Sequence, residues 1–272
     1  MEYLFSQWDK VKTKLFNRRI ALFLDYDGTL TPIVKTPEKA VISRENRRIL
    51  EKVAGCPGFS VAVISGRALD DIKKLVGIKG IVYCGNHGFE IEGPGIKFSK
   101  AVGRKCKASL GRIRDGLKKR LSGIRGVYVE DKGPTLSIHY RLVSKKSQPL
   151  VAMLFKSAVK LYAAGRKIRI TAGKKVFEVR PYSEWNKGKI MLRLLARQRF
   201  ISKKSRPFAV YIGDDATDED AFKALEARGL TVFVGRPRPS YADYYLKDTK
   251  EVYKFLKMLL QLAKGTYPCQ SR

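Results

Sequence analysis

The chain has 272 residues, 44% of them hydrophobic, and sets 56 Lys+Arg against 25 Asp+Glu for a formal net charge of +31. That length and apolar fraction exclude a disordered chain and leave room for one large domain or two moderate ones. No apolar run approaches the roughly 20 residues of a membrane-spanning helix, and the start lacks a secretory signal, so a soluble, cytoplasmic protein with no membrane partner is expected.

The first strand is "IALFLDY", whose apolar run Ile20 to Leu24 leads straight into Asp25, Tyr26, Asp27 and Gly28. A helix over 43–55, a strand over 59–66, a helix over 69–77 and a strand over 80–85 follow. Near the other end come a helix over 186–198, the strand "FAVYIG" (208–213), a helix over 218–229, the strand "LTVFVG" and an amphipathic helix over 249–265. Continuous apolar strands alternating with helices predict an α/β fold, Rossmann-like, with a parallel sheet covered on both faces. The middle differs. A basic helix over 104–120 precedes two strand-like runs around Lys132-Gly133-Pro134, a helix over 148–164 and two short strands around Ala172-Gly173. This texture predicts an antiparallel α+β unit inserted over 93–181, opening at Gly93-Pro94-Gly95, between outer pieces 1–92 and 182–272.

Two bulk features limit the function classes. Cys56, Cys84, Cys106 and Cys269 lie far apart with no zinc spacing, and read as free thiols. The basic charge is spread along nearly the whole chain, with few aromatics beside the basic helix. It reads as a solvated surface with nonspecific affinity for polyanions, rather than a specific nucleic-acid site.

In open parallel sheets, ligands sit beyond the carboxyl ends of the strands. Those ends here carry Asp25 and Asp27, then Ser65-Gly66-Arg67, then Asn86-His87-Gly88, and finally Asp214-Asp215 with Asp218 one turn on. Carboxylates at i and i+2 of an extended chain face the same side. With Asp214 or Asp218 nearby they form an oxygen-rich site suited to Mg²⁺, whose charge offsets the cost of burying them. A carboxylate so placed can attack phosphorus, the second can serve as general acid and then base, and Ser65 with one Lys can hold the phosphoryl oxygens. Each residue also has a plain structural reading. Asp214, Asp215 or Asp218 can cap the following helix, Arg67 can shape its loop or pair with a carboxylate, and Asn86 and His87 can organise a turn. Lys187 sits at a helix start, where positive charge opposes the macrodipole, and His139 reads as a packed or hydrogen-bonded strand residue.

"DYDGTL", "ISGR", a later Lys and "GDDATDEDAF" resemble the motifs of the haloacid dehalogenase superfamily of phosphatases. With "YCGNHGFEI", "VEDKGPTLSIHYR", "FEVRP" and "NKGK", the set is more narrowly similar to the trehalose-6-phosphate phosphatase family, over about residues 20 to 235. Cys84 stands where that family usually has Ala. The resemblance implies a Mg²⁺-dependent phosphatase acting through an aspartyl-phosphate on a small sugar phosphate; a monomer is expected. It makes Asp25 the nucleophile, Asp27 the acid/base, and Ser65 and Lys187 the phosphoryl holders. Asp25, the Asp27 carbonyl and Asp214 would bind the metal, supported by Asp215 or Asp218. Gly66, Arg67, Asn86 and His87 complete the core's substrate set. The insert becomes a C2-type cap whose Glu130, Lys132, Arg141 and Glu178 hold the sugar, although any two of these could form a surface salt bridge. The same core could act on sucrose 6-phosphate or a glycosyl-phosphoglycerate. A basic polyanion-binding module is the reading from another class.

Overall fold

The computed structural model describes residues 1–183, 185–201 and 207–266, without side-chain detail at 198–201 and 264–266. The chain divides into two compact units, one of Met1–Val34, Glu38–Phe98 and Trp185–Arg272, the other of Lys35–Pro37 and Ser99–Glu184. In chain order the elements begin with β1 (Glu2–Tyr3), α1 (Trp8–Leu15), β2 (Ile20–Leu24), α2 (Arg44–Gly55), β3 (Phe59–Ile64), α3 (Leu69–Val76) and β4 (Val82–Gly85). After β5 (Glu90–Gly93) and β6 (Ile96–Ser99) come α4 (Arg104–Leu121), β7 (Tyr128–Asp131), β8 (Leu136–His139), α5 (Gln148–Ala164), β9 (Ile168–Gly173) and β10 (Val176–Pro181). The chain returns through α6 (Lys187–Ile201), β11 (Phe208–Gly213), α7 (Glu219–Leu225), β12 (Gly229–Val234), β13 (Tyr244–Leu246) and α8 (Thr249–Thr266).

The first unit is a nine-stranded sheet in the order β1-β13-β12-β11-β2-β3-β4-β5-β6. All five residues of β2 are buried, and it runs parallel between β11 and β3. Its side chains alternate between two cores. Leu22 and Leu24 join residues of α1, α2, α3 and α8, whereas Ala21 and Phe23 join those of α6 and α7. Burial on both faces is why the strand reads as an unbroken apolar run. Ser43 caps α2 by accepting a hydrogen bond from the Asn46 N–H (3.2 Å), and Gly77 ends α3 in the left-handed conformation at φ 62°.

Two boundaries and two short strands differ from the sequence reading. The Gly93-Pro94-Gly95 turn joins β5 to β6, which extend the large sheet at its edge, and the second unit begins after Phe98. The helix expected over 218–229 ends at Leu225, because Ala227 takes a left-handed φ of 57° and Gly229 already starts β12. The short strands β1 and β13, which pair with each other, carry too few residues for a periodic signal. Cys56 and Cys84 are buried free thiols and Cys106 is half-buried, while Cys269 lies outside the described residues.

The second unit is an antiparallel sheet in the order β7-β8-β10-β9, with α4 and α5 packed on one face. Val129, Leu136, Ile138, Ile168 and Val179 point into that core together with Leu110, Ile113, Leu117, Val151, Phe155 and Val159. By the two-residue period of strands, the intervening residues lie on the opposite face. No described helix is long and apolar enough to cross a membrane.

Candidate active site

The site lies at the carboxyl edge of the first unit's sheet, where β2 and β11 end side by side. From β2 the chain leads left through β3 and right to β11, the kind of switch point at which open sheets bind ligands. Beyond the last paired strand residue, the Asp25 N–H still donates to the Ile212 carbonyl (2.9 Å), fixing Asp25 against the end of β11. Asp25, Asp214 and Asp218 are buried, with carboxylate oxygens within 4.8 Å of one another. Lys187, the first residue of α6 and only 3% exposed, extends Nζ to Asp25 Oδ1 and Asp218 Oδ1, each at 2.7 Å.

Asp218 is the organiser of this cluster. Its Oδ1 also accepts from the Tyr211 hydroxyl (2.7 Å), and its Oδ2 accepts the N–H groups of Asp214 and Asp215, both at 3.0 Å. It occupies the N-cap position of α7, yet its side chain reaches back along the loop and not into the helix. Asp215 Oδ1 takes the Thr217 N–H and hydroxyl, each at 2.7 Å. Tyr211 was invisible as a site residue, since in sequence it is one more apolar-run aromatic of β11.

Two glycines make the close approach feasible. Gly28 has φ 99°, and a Cβ there would lie 2.0 Å from Asp214 Oδ2. At Gly213 a Cβ would meet the Asp218 carboxylate carbon at 2.2 Å.

The electrostatics follow from burial. Desolvation pushes the Asp25 carboxyl well above the usual carboxylate range; Lys187 pulls it back, while Asp218 and Asp214 push it further up. For Lys187, desolvation opposes the charged form, but Asp218 and Asp25 outweigh it and hold the ammonium protonated. Asp215 is desolvated too, yet Lys187 and the Thr217 hydrogen bonds bring its carboxyl below the usual value. Three buried carboxylates around a single ammonium leave a deficit of positive charge. An all-oxygen set with that deficit fits a hard divalent cation such as Mg²⁺, with Asp25 and Asp214 the natural ligands and Asp218 spent on hydrogen bonds.

Asp27 turns elsewhere. Its carboxylate is gripped by Arg67, with Nε–Oδ2 and Nη2–Oδ1 both 2.7 Å, and Arg67 also reaches Asp71 at 3.0 Å and lies over the Tyr26 ring. Ser65 is buried, and its hydroxyl accepts the Arg67 N–H (3.1 Å) at the turn through Gly66. The next loop is stitched to this one: Asn86 N–H donates to the Arg67 carbonyl and His87 N–H to the Ser65 carbonyl. Asn86, His87 and Gly88 all have positive φ (50°, 53° and 82°), a strained left-handed turn held by Asn86 Nδ2–Glu90 (2.6 Å) and Trp185 Nε1–Gly88 (2.8 Å).

In the second unit, register aligns Glu130 with Ser137, Ser137 with Glu178, and Glu178 with Thr171. This row crosses the sheet on the face away from α4 and α5. Glu130 Oε2 lies within hydrogen-bond distance of His139 Nε2 (2.8 Å) and 3.7 Å from Lys132 Nζ, and His139 stacks on Tyr128. Glu178 receives the Thr171 hydroxyl at 3.3 Å. Arg141 lies past the end of β8, with its guanidinium on the Lys174 carbonyl at the β9–β10 turn. Ser137, Thr171 and His139 join this polar face, of which the sequence reading named Glu130, Lys132 and Glu178, with Arg141 as the fourth of its set.

The fold is shared with a haloacid dehalogenase-like hydrolase from Bacteroides thetaiotaomicron, which superposes with a TM-score of 0.58 at 17% identity, covering 89% of this chain and 99% of that one. A profile described as trehalose-phosphatase matches residues 23–250, and the chain belongs to that family. Trehalose-phosphate phosphatase B of Arabidopsis thaliana is 34% identical over 96% of this chain and 71% of its own length. Probable trehalose-phosphate phosphatase G of the same plant is 38% identical over 91% and 70%. The C-terminal domain of the C. albicans trehalose-6-phosphate phosphatase superposes with a TM-score of 0.81 at 26% identity, covering 96% of this chain and 98% of that domain.

Proposed function

We propose that the chain is a Mg²⁺-dependent phosphatase that converts trehalose 6-phosphate to trehalose and phosphate. Family membership supports the substrate. The observation that carries the chemistry is the buried Lys187 bridge between Asp25 and Asp218 at the sheet's carboxyl edge, which prepares one carboxylate among fixed charges.

Asp25 attacks the phosphorus; an O–P bond forms to its carboxylate as the bond from phosphorus to the sugar's 6-oxygen breaks. Asp27 gives a proton to that departing oxygen. In the second half, Asp27 takes a proton from water, whose oxygen attacks phosphorus and releases Asp25 as a free carboxylate with phosphate as the other product. Ser65, the loop through Gly66 and Lys187 hold the phosphoryl oxygens, where charge builds in the transition state. Asn86 and His87 act through the two backbone hydrogen bonds that set the Ser65–Arg67 loop. Asp25, the Asp27 carbonyl and Asp214 would hold Mg²⁺, with Asp218 and Asp215 supporting them; when bound, the ion supplies positive charge for the carboxylates and the phosphoryl group.

Glu130, Lys132 and Glu178 of the second unit's polar face read the sugar hydroxyls, which both donate and accept. Arg141 would join them on leaving the Lys174 carbonyl. The test is phosphate release from trehalose 6-phosphate with Mg²⁺ present and then chelated, beside sucrose 6-phosphate and a glycosyl-phosphoglycerate. Release that needs the metal and is fastest for trehalose 6-phosphate is expected. Equal rates on all three would overturn the substrate assignment.

A further inference from the structure

We infer that the outward face of α4 and α5 is a docking surface for an anionic lipid bilayer, on which the chain adsorbs without crossing it. Along α5 the inward residues Val151, Phe155 and Val159 are buried, yet the other side carries Leu150, Met153 and Leu161, exposed by 44%, 58% and 83%. Their spacing, with Ser157 between, places them along one stripe of the helix. Arg120 Nη1 donates to Ser157 Oγ (2.9 Å), so the end of α4 lies beside that stripe. On the same two helices Arg112, Lys119, Lys156 and Lys160 are all exposed. The acidic residue of α4, Asp115, is already paired with Arg114.

Charge complementarity selects the occupant. Between Ser99 and Ser183 the acidic residues are Asp115, Glu130, Asp131 and Glu178, while about a quarter of the positions are Lys or Arg, an imbalance that marks an anionic partner. Exposed aliphatic side chains interleaved with lysines suit the boundary between headgroups and acyl chains, where the aliphatic tips leave water and the ammonium groups meet lipid phosphates. A nucleic acid offers nothing to Leu150, Met153 or Leu161, because bases stack on aromatic rings. A second copy of the chain would set like charges against each other. The expectation of no membrane partner rested on spanning length, which adsorption does not require.

The test is co-sedimentation of the full chain with vesicles of phosphatidylcholine alone and with vesicles also containing phosphatidylserine. Binding to the serine-containing vesicles alone is expected. The triple variant Leu150→Ser, Met153→Ser, Leu161→Ser should bind at least about tenfold less, as should Lys119→Gln, Lys156→Gln, Lys160→Gln, both with unchanged phosphate release as the check on folding. No binding by the wild type would overturn the inference. So would full binding by the serine triple, or capture of duplex DNA that both vesicle types fail to match.

Discussion

Arg67 holds Asp27 by both carboxylate oxygens at 2.7 Å, so the proposed acid/base is clamped, by a side chain anchored in the Ser65 loop. A fork-to-carboxylate pair fixes geometry as well as charge. In the proposed mechanism this clamp sets where the Asp27 carboxylate lies during both proton transfers. Arg67→Lys keeps the charge without the fork, and is expected to lower kcat by about tenfold with little change in KM. Arg67→Met should lower it further. An unchanged kcat in both variants would mean the clamp is irrelevant to turnover.

Asp25→Asn should reduce phosphate release by more than about a thousandfold while the protein stays folded. The fold survives because Lys187 keeps its bond to Asp218 and the amide still fits beside it. Circular dichroism and a thermal melt test the second half of this statement. Residual turnover near the wild-type rate would remove Asp25 as nucleophile.

Lys187→Met leaves Asp25 and Asp218 buried without their ammonium. Breaking such a pair costs about 3 kcal/mol or more. The loss should be largest in chelator and smaller when Mg²⁺ is added, since the ion replaces part of the missing charge. Melting curves with and without metal make the comparison; identical losses in both would argue against a cation at this cluster.

Gly28→Ala places a methyl where the Asp214 carboxylate sits, on a backbone at φ 99°. We expect a strained backbone costing about 1–3 kcal/mol and a displaced Asp214, read as a rise in the Mg²⁺ concentration needed for half-maximal activity. A wild-type metal requirement would show that Asp214 is not a ligand.

Glu130→Ala and Glu178→Ala should slow hydrolysis of trehalose 6-phosphate by about tenfold to a hundredfold, because sugar hydroxyls lose hydrogen-bond partners. A small generic phosphate ester should be hydrolysed as by the wild type. Equal losses on both substrates would remove these residues from sugar recognition.

The parallel core was legible in the sequence because β2, β3, β11 and β12 are buried on both faces and therefore read as continuous apolar runs. The strand ends pointed to Asp25, Asp27, Ser65 and the Asp214–Asp218 segment, the family resemblance added Lys187, and the structure gathers Asp25, Asp214, Asp218 and Lys187 into one cluster. What stayed hidden were partnerships made by distant residues. Nothing local to Tyr211 marks its hydroxyl as bound to Asp218, and the i, i+2 rule placed Asp27 beside Asp25 although Arg67 draws it away. In the same way, the turn at Gly93-Pro94-Gly95 carries the composition of a boundary, but only strand pairing reveals that it closes a hairpin of the larger sheet.

The row Glu130–Ser137–Glu178–Thr171 carries a further consequence. Strand side chains alternate, so slipping β7 by a single residue would send Glu130 under the helices and bring Val129 out into water, and the same slip of β10 would exchange Glu178 for Val179. The proposed sugar recognition and the integrity of the second unit thus share one alignment, set at the turns near Gly133 and Gly173. Length changes at those turns are penalised twice, and a drifting specificity has to come from exchanging side chains in place.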